Sequence, residues 1–428
     1  MKVFMLGWEF PPFISGGLGT ACYGLTKAMN NLGLKVTFCL PKMVEDKYTT
    51  HVKLLSPNSL SPAVSARINK LTNVVFRTIN SPLQPYSSPD VYQQRIEETL
   101  RQKHIDGNSV RTVGQFAESG DYSSDMYVEV HRYAAVAAQL AKNEDFDIIH
   151  AHDWMTYPAG IAIAAMSGKP LIVQVHSTEF DRSGEHVNQM IYNIEREGMR
   201  AADKIIAVSY FTRNIIISRY GISGDKVKVV YNGVERNGNQ TLTTSTINKD
   251  KKLVLFLGRI TMQKGPEYFL QAAKKVLEVM DNVKFVMAGS GDMIQRTVEM
   301  AAELGIGSKV LFTGFLHGED VRKIYKMADL YVMSSVSELF GIAPLEALDN
   351  DVPVIISKQS GVSEVLKHAL KVDFWDIQDM ANKIIAVLKY PPLEITLRNH
   401  GNFEVRKLQW KDSALKCVRI YKETLVMV

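Results

Sequence analysis

The sequence predicts an α/β protein made of two doubly wound parallel-sheet lobes. Three observations carry that prediction. Short β-branched runs alternate with longer amphipathic segments almost throughout, which is the pattern of βαβ units. The pattern breaks at a polar stretch, residues 236–252, and restarts at Leu253. Each of the two series opens in the same way, with an apolar strand that runs into a glycine-containing turn and then a helix. At about 150 residues per domain, 428 residues suit two or three domains. Ligands of such sheets bind beyond the carboxyl ends of the strands, so two facing lobes are expected to enclose an interdomain cleft.

The first domain is expected over residues 1–235, with strands KVFMLG, KVTFCLP, NVVFRTI, DIIHAHD, PLIVQV, KIIAVS and KVKVVYN in chain order. Residues 80–124 interrupt it. They lack a helical or strand period and mix Pro, Ser, Gly, Asn and aromatics, which marks a long excursion. The stretch RNGNQTLTTSTINKDKK, residues 236–252, has the polar, Gly- and Asn-containing composition of a linker. The second domain, residues 253–405, begins with LVLFLGR and continues through KFVMAGSG, KVLFTGF, DLYVMSS and PVIIS. In the tail, KDSALKCVRIYKETL repeats its apolar residues close to every 3.6 positions, so residues 406–428 are expected to form a helix that can cross back to the first lobe.

Composition excludes several classes. Hydrophobic residues at 46% and charged residues at 22% are the balance of a globular chain rather than a disordered or collagen-like one. A net charge of +5 is too dilute over this length to point to nucleic acid. Cys22, Cys39 and Cys417 are odd in number and widely spaced, which provides neither a disulfide framework nor a metal motif and suits a reducing cytoplasm. The opening MKVFMLGWEFPP meets Glu and two prolines before a signal-peptide core can form. The most apolar run, YPAGIAIAAMSG, stops after about ten residues, short of a membrane span.

The residues that can carry chemistry cluster at the expected strand ends. In the first loop, PPFISGGLGT, glycines at 16, 17 and 19 permit close backbone approach to an anion near a helix start, and no G-K-[ST] follows to make a P-loop. In GRITMQKG, Arg259 and Lys264 put two cations on one strand-to-helix connection, where Arg can bind a diphosphate through two bonds and Lys acts as a point charge. In SELFGIAPLEAL, Glu338 and Glu346 stand eight positions apart, with the amides of Gly341, Ile342 and Ala343 between them. Helical rise over that distance is about 12 Å, beyond the roughly 5–9.5 Å of paired glycosidase carboxylates, so separate roles are expected. One carboxylate suits a sugar ring and the other ribose hydroxyls. Glu338 is expected in the loop and Glu346 in the helix. DIIHAHDW and PLIVQVHS place His150, His152, Asp153 and His176 at or near strand ends. His150 reads as a structural histidine rather than a metal ligand. GSGDMI, residues 289–294, lacks the third glycine of a dinucleotide fingerprint, and Asp349-Asn350-Asp351 reads as a helix-ending turn.

Together WEFPPFISGGLG, HAHDW with His176 after the next strand, GRITMQKG and the E-x7-E pattern resemble the retaining glycosyltransferases of the GT-B fold, especially glycogen and starch synthases and the related group 1 transferases. The resemblance runs from residue 1 to beyond 420 and implies two Rossmann-like domains. It implies that Arg259 and Lys264 neutralise the nucleotide diphosphate leaving group, that Glu338 lies beside the transferred sugar and that Glu346 holds the ribose. It places His176 near the anomeric centre, Asp153 on the acceptor side, Gly16, Gly17 and Leu18 near the diphosphate, and Phe315 and Leu316 in the base-binding turn. No metal or other cofactor is implied. The implied partners are an ADP- or UDP-glucose donor and an α-1,4-glucan acceptor. Where bacterial glycogen and starch synthases carry K-x-G-G-L, this chain has Ile14-Ser15-Gly16-Gly17-Leu18. The missing lysine brings it closer to the broader group 1 family, whose members build cell-surface polysaccharides and glycolipids. A nucleotide-sugar 2-epimerase shares the twin-lobed fold and forms a further alternative, as does a binding protein with an inactive site.

Overall fold

The structure, a computed structural model, describes residues 1–10, 17–41, 53–54, 74–78, 123–234 and 251–427. The excursion expected at residues 80–124 lies outside the described residues up to 122, and the expected linker lies outside them up to 250.

Two parallel sheets organise the chain. The first has the order β3-β4-β2-β1-β5-β6-β7-β8, formed by β1 (Lys2–Leu6), β2 (Lys35–Leu40), β3 (Lys53–Leu54), β4 (Val74–Thr78), β5 (Ile148–His152), β6 (Leu171–Val175), β7 (Lys204–Ala207) and β8 (Val227–Val229). The second has the order β11-β10-β9-β12-β13-β14, formed by β9 (Lys252–Leu257), β10 (Val283–Ala288), β11 (Val310–Gly314), β12 (Leu330–Met333), β13 (Val354–Ser357) and β14 (Leu370–Val372). Every expected strand is present. Two were not anticipated, β3 and β14, whose two and three residues are too short to show a period.

Burial explains why the runs are nearly continuous in apolar residues. Every residue of β5 and β6 is buried, including His150, His152 and Gln174, because helices cover both faces of such a sheet. Around the second sheet the core joins Val254, Phe256, Phe285, Leu330 and Ile355 to Phe269 of the helix Pro266–Leu277. That helix starts where its sequence says it should. Pro266 occupies the first turn, where a missing N–H costs nothing, and Gly265 precedes it in the left-handed region at φ 60°.

By contacts the chain forms two compact units. One comprises Met1–Val175, Gln189–Ile206 and Cys417–Val428, and the other comprises His176–Asn188 and Ala207–Lys416. In both sheets the strand order reverses beside the first strand of the series. The reversal falls between β1 and β5 in the first sheet and between β9 and β12 in the second, and the loops beyond the carboxyl ends at these points are where such sheets hold ligands. No helix among the described residues is long and apolar enough to cross a membrane.

Candidate active site

At the second switch point, the loops after β9 and β12 are tied together by backbone and side chain. The amide of Val336 donates to Gln263 O at 2.9 Å, and Ser334 Oγ donates to Gly265 O at 2.8 Å. A Cβ on Gly265 would lie 2.3 Å from Ser334 O, so only glycine allows this approach. Lys264, in the 3-10 turn Met262–Lys264, forms an ion pair with Glu338. Ser335 Oγ is 3.4 Å from the same carboxylate. Arg259, two residues past β9, donates from Nη2 to the side chain of buried Gln263 at 3.0 Å. The Gln263 contact is not legible in the sequence, because a glutamine in a cationic loop carries no spacing signal.

Glu338 does lie in a loop and Glu346 in a helix. The Glu338 amide donates to Gln359 O at 3.0 Å and its carbonyl accepts from the Gly361 amide at 2.9 Å, which fixes its backbone on both sides. Gly341 follows at φ 100°, and Ala343 opens α-helix Ala343–Asp349. In that helix, Glu346 Oε2 is 3.1 Å from the Tyr325 hydroxyl, which also stands 3.2 Å from Ala343 O. Burial pushes the Glu346 carboxyl up; the Tyr325 hydrogen bond opposes this and the Asp349 carboxylate adds to it. Ile342 caps the helix, and the turn read from Asp349-Asn350-Asp351 is its end. Phe315 follows β11, 42% exposed and edge-on to His317, with Leu316 beside it half-buried.

His176 follows β6 and belongs to the same unit as Arg259, Lys264 and both glutamates. Burial pushes its imidazole down to about 3 from 6.5, so the ring is neutral at pH 7. The unfolded chain protonates this histidine near pH 6.5 and the folded one near 3, so between those values the unfolded state binds more protons and stability falls as pH falls. Replacement by Gln removes that term. His176→Gln is therefore expected to lose less stability than the wild type between pH 7 and pH 5, measured by urea unfolding at each pH. Equal losses would show that His176 titrates normally. Burial also raises the carboxyls of Glu346 and Asp181, but their effect on stability has the opposite sign and cancels in the comparison.

In the other unit, Asp153 lies beyond β5 with φ 60° and ψ 167°, a region that costs a residue with a Cβ about 1–3 kcal/mol. The conformation is held in place. Its amide donates to Gln174 O at 3.0 Å, and Thr156 donates to its carbonyl through both N and Oγ1 at 3.0 Å. Of the residues expected in the first loop, Gly17 and Leu18 open α-helix Gly17–Asn31 and Gly16 lies outside the described residues. Glu9 is a functional candidate the sequence reading missed. Its buried carboxylate accepts from the Gly19 amide at 3.0 Å and so anchors the helix start. His150, read from the sequence as structural, has its Nδ1 2.5 Å from the Tyr421 hydroxyl and its ring stacked on His152 at 4.3 Å.

Residues 241–402 match the family described as glycosyl transferases group 1, and residues 111–237 match Glycosyltransferase Family 4. Over these stretches the chain is similar to the group 1 glycosyltransferases. An uncharacterized glycosyltransferase of Methanocaldococcus jannaschii is 28% identical to this chain, and the match covers 100% of both chains. Solved structures share its fold, which is GT-B. Sucrose-phosphate synthase from Thermosynechococcus elongatus superposes with a TM-score of 0.74 at 17% identity, covering 100% of each chain. An Anabaena protein solved in complex with UDP-glucose gives 0.69 at 17% identity, again over 100% of each chain. Both matched models and the whole-length relative are described as glycosyltransferases.

Proposed function

We propose that this protein moves a hexose, glucose in the first instance, from a nucleotide sugar to a carbohydrate hydroxyl with retention of the α configuration. The observation that carries the proposal is the Lys264–Glu338 ion pair at the switch point of the second sheet, with Arg259 bonded to Gln263 of the same loop as Lys264. Charge develops on the departing diphosphate in the transition state, and two preorganised cations stabilise it without a metal ion. In the free enzyme Glu338 holds the Lys264 ammonium. When donor binds, that ammonium is shared with the phosphates, and the carboxylate stands beside the sugar, where it stabilises the positive charge of an oxocarbenium-like centre. The incoming hydroxyl attacks the face from which the diphosphate leaves. The amides of Gly17 and Leu18 and of Gly341, Ile342 and Ala343 supply donors to phosphate and sugar oxygens, and Glu346, oriented by Tyr325, accepts the ribose hydroxyls. Phe315 and Leu316 meet the base, neutral His176 hydrogen-bonds near the anomeric carbon, and Asp153 faces the acceptor. The Anabaena protein of like fold, solved with UDP-glucose, supports a nucleotide-activated glucose as donor.

An α-1,4-glucan is the acceptor favoured by the HAHDW motif and the Arg259-to-Lys264 spacing, which are synthase-like. A second reading has a specific observation behind it. The likeness to sucrose-phosphate synthase over the whole chain, together with the absent first-loop lysine, favours a group 1 enzyme with a different acceptor, such as a sugar phosphate or a lipid-linked sugar of the cell surface. Three buried cysteines that form no disulfide suit a reducing, cytoplasmic site of action for either. The two readings separate in an assay of nucleoside diphosphate release from ADP-, UDP- and GDP-sugars, each with glycogen, with a hexose phosphate or with no acceptor. Release that needs glycogen identifies the glucan synthase, release that needs a hexose phosphate identifies the second reading, and donor consumption without acceptor and with epimerised product would replace both with an epimerase.

A further inference from the structure

We propose that Asp181 and Ser337 form a bridge that positions the sugar-side carboxylate Glu338 against His176, a role that rests on the functional reading above. Asp181 is 2% exposed and lies in the short helix Glu179–Ser183, five residues after His176. Its Oδ2 accepts from Thr178 N at 2.9 Å and from Thr178 Oγ1 at 2.5 Å, which completes a capping box. A cap needs only that oxygen. The other, Oδ1, accepts a hydrogen bond from Ser337 Oγ, across 156 residues of sequence.

Ser337 immediately precedes Glu338, so the bridge grips a residue next to the one that carries the carboxylate. On its far side the loop is already fixed by the Val336 amide on Gln263 O and the Glu338 amide on Gln359 O. The His176 segment is fixed as firmly, because Arg182 donates to Ser177 Oγ at 2.7 Å and to Glu179 Oε2 at 3.1 Å, while Glu179 Oε1 accepts from Ser183 Oγ at 2.6 Å and the Asn188 amide at 3.0 Å. Two stiff segments joined by one charge-assisted hydrogen bond hold a fixed spacing. Burying a carboxylate is costly unless its oxygens are satisfied, and here the hydrogen-bond donors that satisfy it come from both segments. The bridge therefore sets the distance between the histidine and the glutamate that flank the transferred sugar. It bears on the diphosphate cations indirectly, through the ion pair of Glu338 with Lys264, which lies on the other loop.

The experiment measures kcat and KM for the nucleotide sugar, and the dissociation constant of the free nucleoside diphosphate, in wild type, Ser337→Ala, Asp181→Asn, the double variant and Ser337→Thr. Ser337→Ala is expected to lower kcat about 10- to 100-fold, the range for small misplacements near reacting atoms, with a much smaller change in the diphosphate dissociation constant. The double variant is expected to be no slower than the slower single one, since the two residues act as one link. Ser337→Thr restores the hydroxyl and is expected to restore kcat. If Asp181→Asn fails to fold because its capping box is weakened, Ser337→Ala and Ser337→Thr decide alone. An unchanged kcat in Ser337→Ala, or a loss matched by weaker diphosphate binding, overturns the bridge. A wild type that consumes no nucleotide sugar overturns the functional reading, and the bridge proposal with it.

Discussion

Arg259→Ala is expected to reduce turnover by on the order of 10²- to 10³-fold, the usual effect of removing one preorganised donor from a developing negative charge. The guanidinium is held in readiness rather than left to search for its partner. Its Nη2 is bonded to Gln263, whose backbone carbonyl in turn receives the Val336 amide, so the cation is mounted on the contact between the β9 and β12 loops. Such a fixed cation needs little reorganisation when the diphosphate departs. A point charge cannot reproduce it: lysine at this position lacks the fork that binds two oxygens at once, so Arg259→Lys is expected to recover only part of the loss. Steady-state rates on purified variants with unchanged unfolding midpoints are the check. Full activity in Arg259→Ala would remove this residue from the chemistry.

The largest expected effect on stability comes from Gly289→Ala. Gly289 follows β10 at φ 143°, and a Cβ there would stand 1.8 Å from the carbonyl oxygen of Gly258, the residue just past β9. Neither side can yield easily. Gly258 N donates to Ala288 O at 3.0 Å and Gly289 N donates to Gly314 O at 2.9 Å, which locks both strand ends into the sheet. Strain at the backbone angle and overpacking against a carbonyl act together, so the loss is expected to be about 3 kcal/mol or more. Urea denaturation measures it directly, and a loss under about 1 kcal/mol would mean that the strand ends move apart freely, contrary to the packing described. The same geometry explains GSGDMI. Its second glycine, Gly291, is pressed against the carbonyl of Ile260, with a Cβ position 2.2 Å away, so these glycines serve the close packing of two loops and not a dinucleotide.

That motif shows where sequence reading succeeds and where it stops. Buried parallel strands are nearly uninterrupted apolar runs, so β9, β10, β12 and β13 could be recognised from composition, whereas β14, three residues long, could not. The placement of Glu338 in a loop and Glu346 in a helix followed from the Gly-Ile-Ala-Pro start, since Pro is tolerated in a first helical turn. Tyr325, Gln263 and Asp181 were not legible as site residues because each acts on a partner that the fold, not the spacing, brings near. Asp181 came closest: the Thr178-to-Asp181 interval has the spacing of a capping box, but nothing local announces that the second oxygen reaches Ser337. Glu9 was hidden in a similar way, ten residues from the Gly19 amide it holds.

The central claim is that the loops at the second switch point hold a nucleoside diphosphate on Arg259 and Lys264. Calorimetric titration of UDP, ADP and GDP into the wild type and into Arg259→Ala tests it without knowledge of the acceptor. At least one of the three is predicted to bind the wild type and to bind the variant about tenfold or more weakly, as expected for loss of a charge-assisted bidentate contact. Equal affinity in the two proteins, or no binding of any nucleoside diphosphate to the wild type, would contradict it.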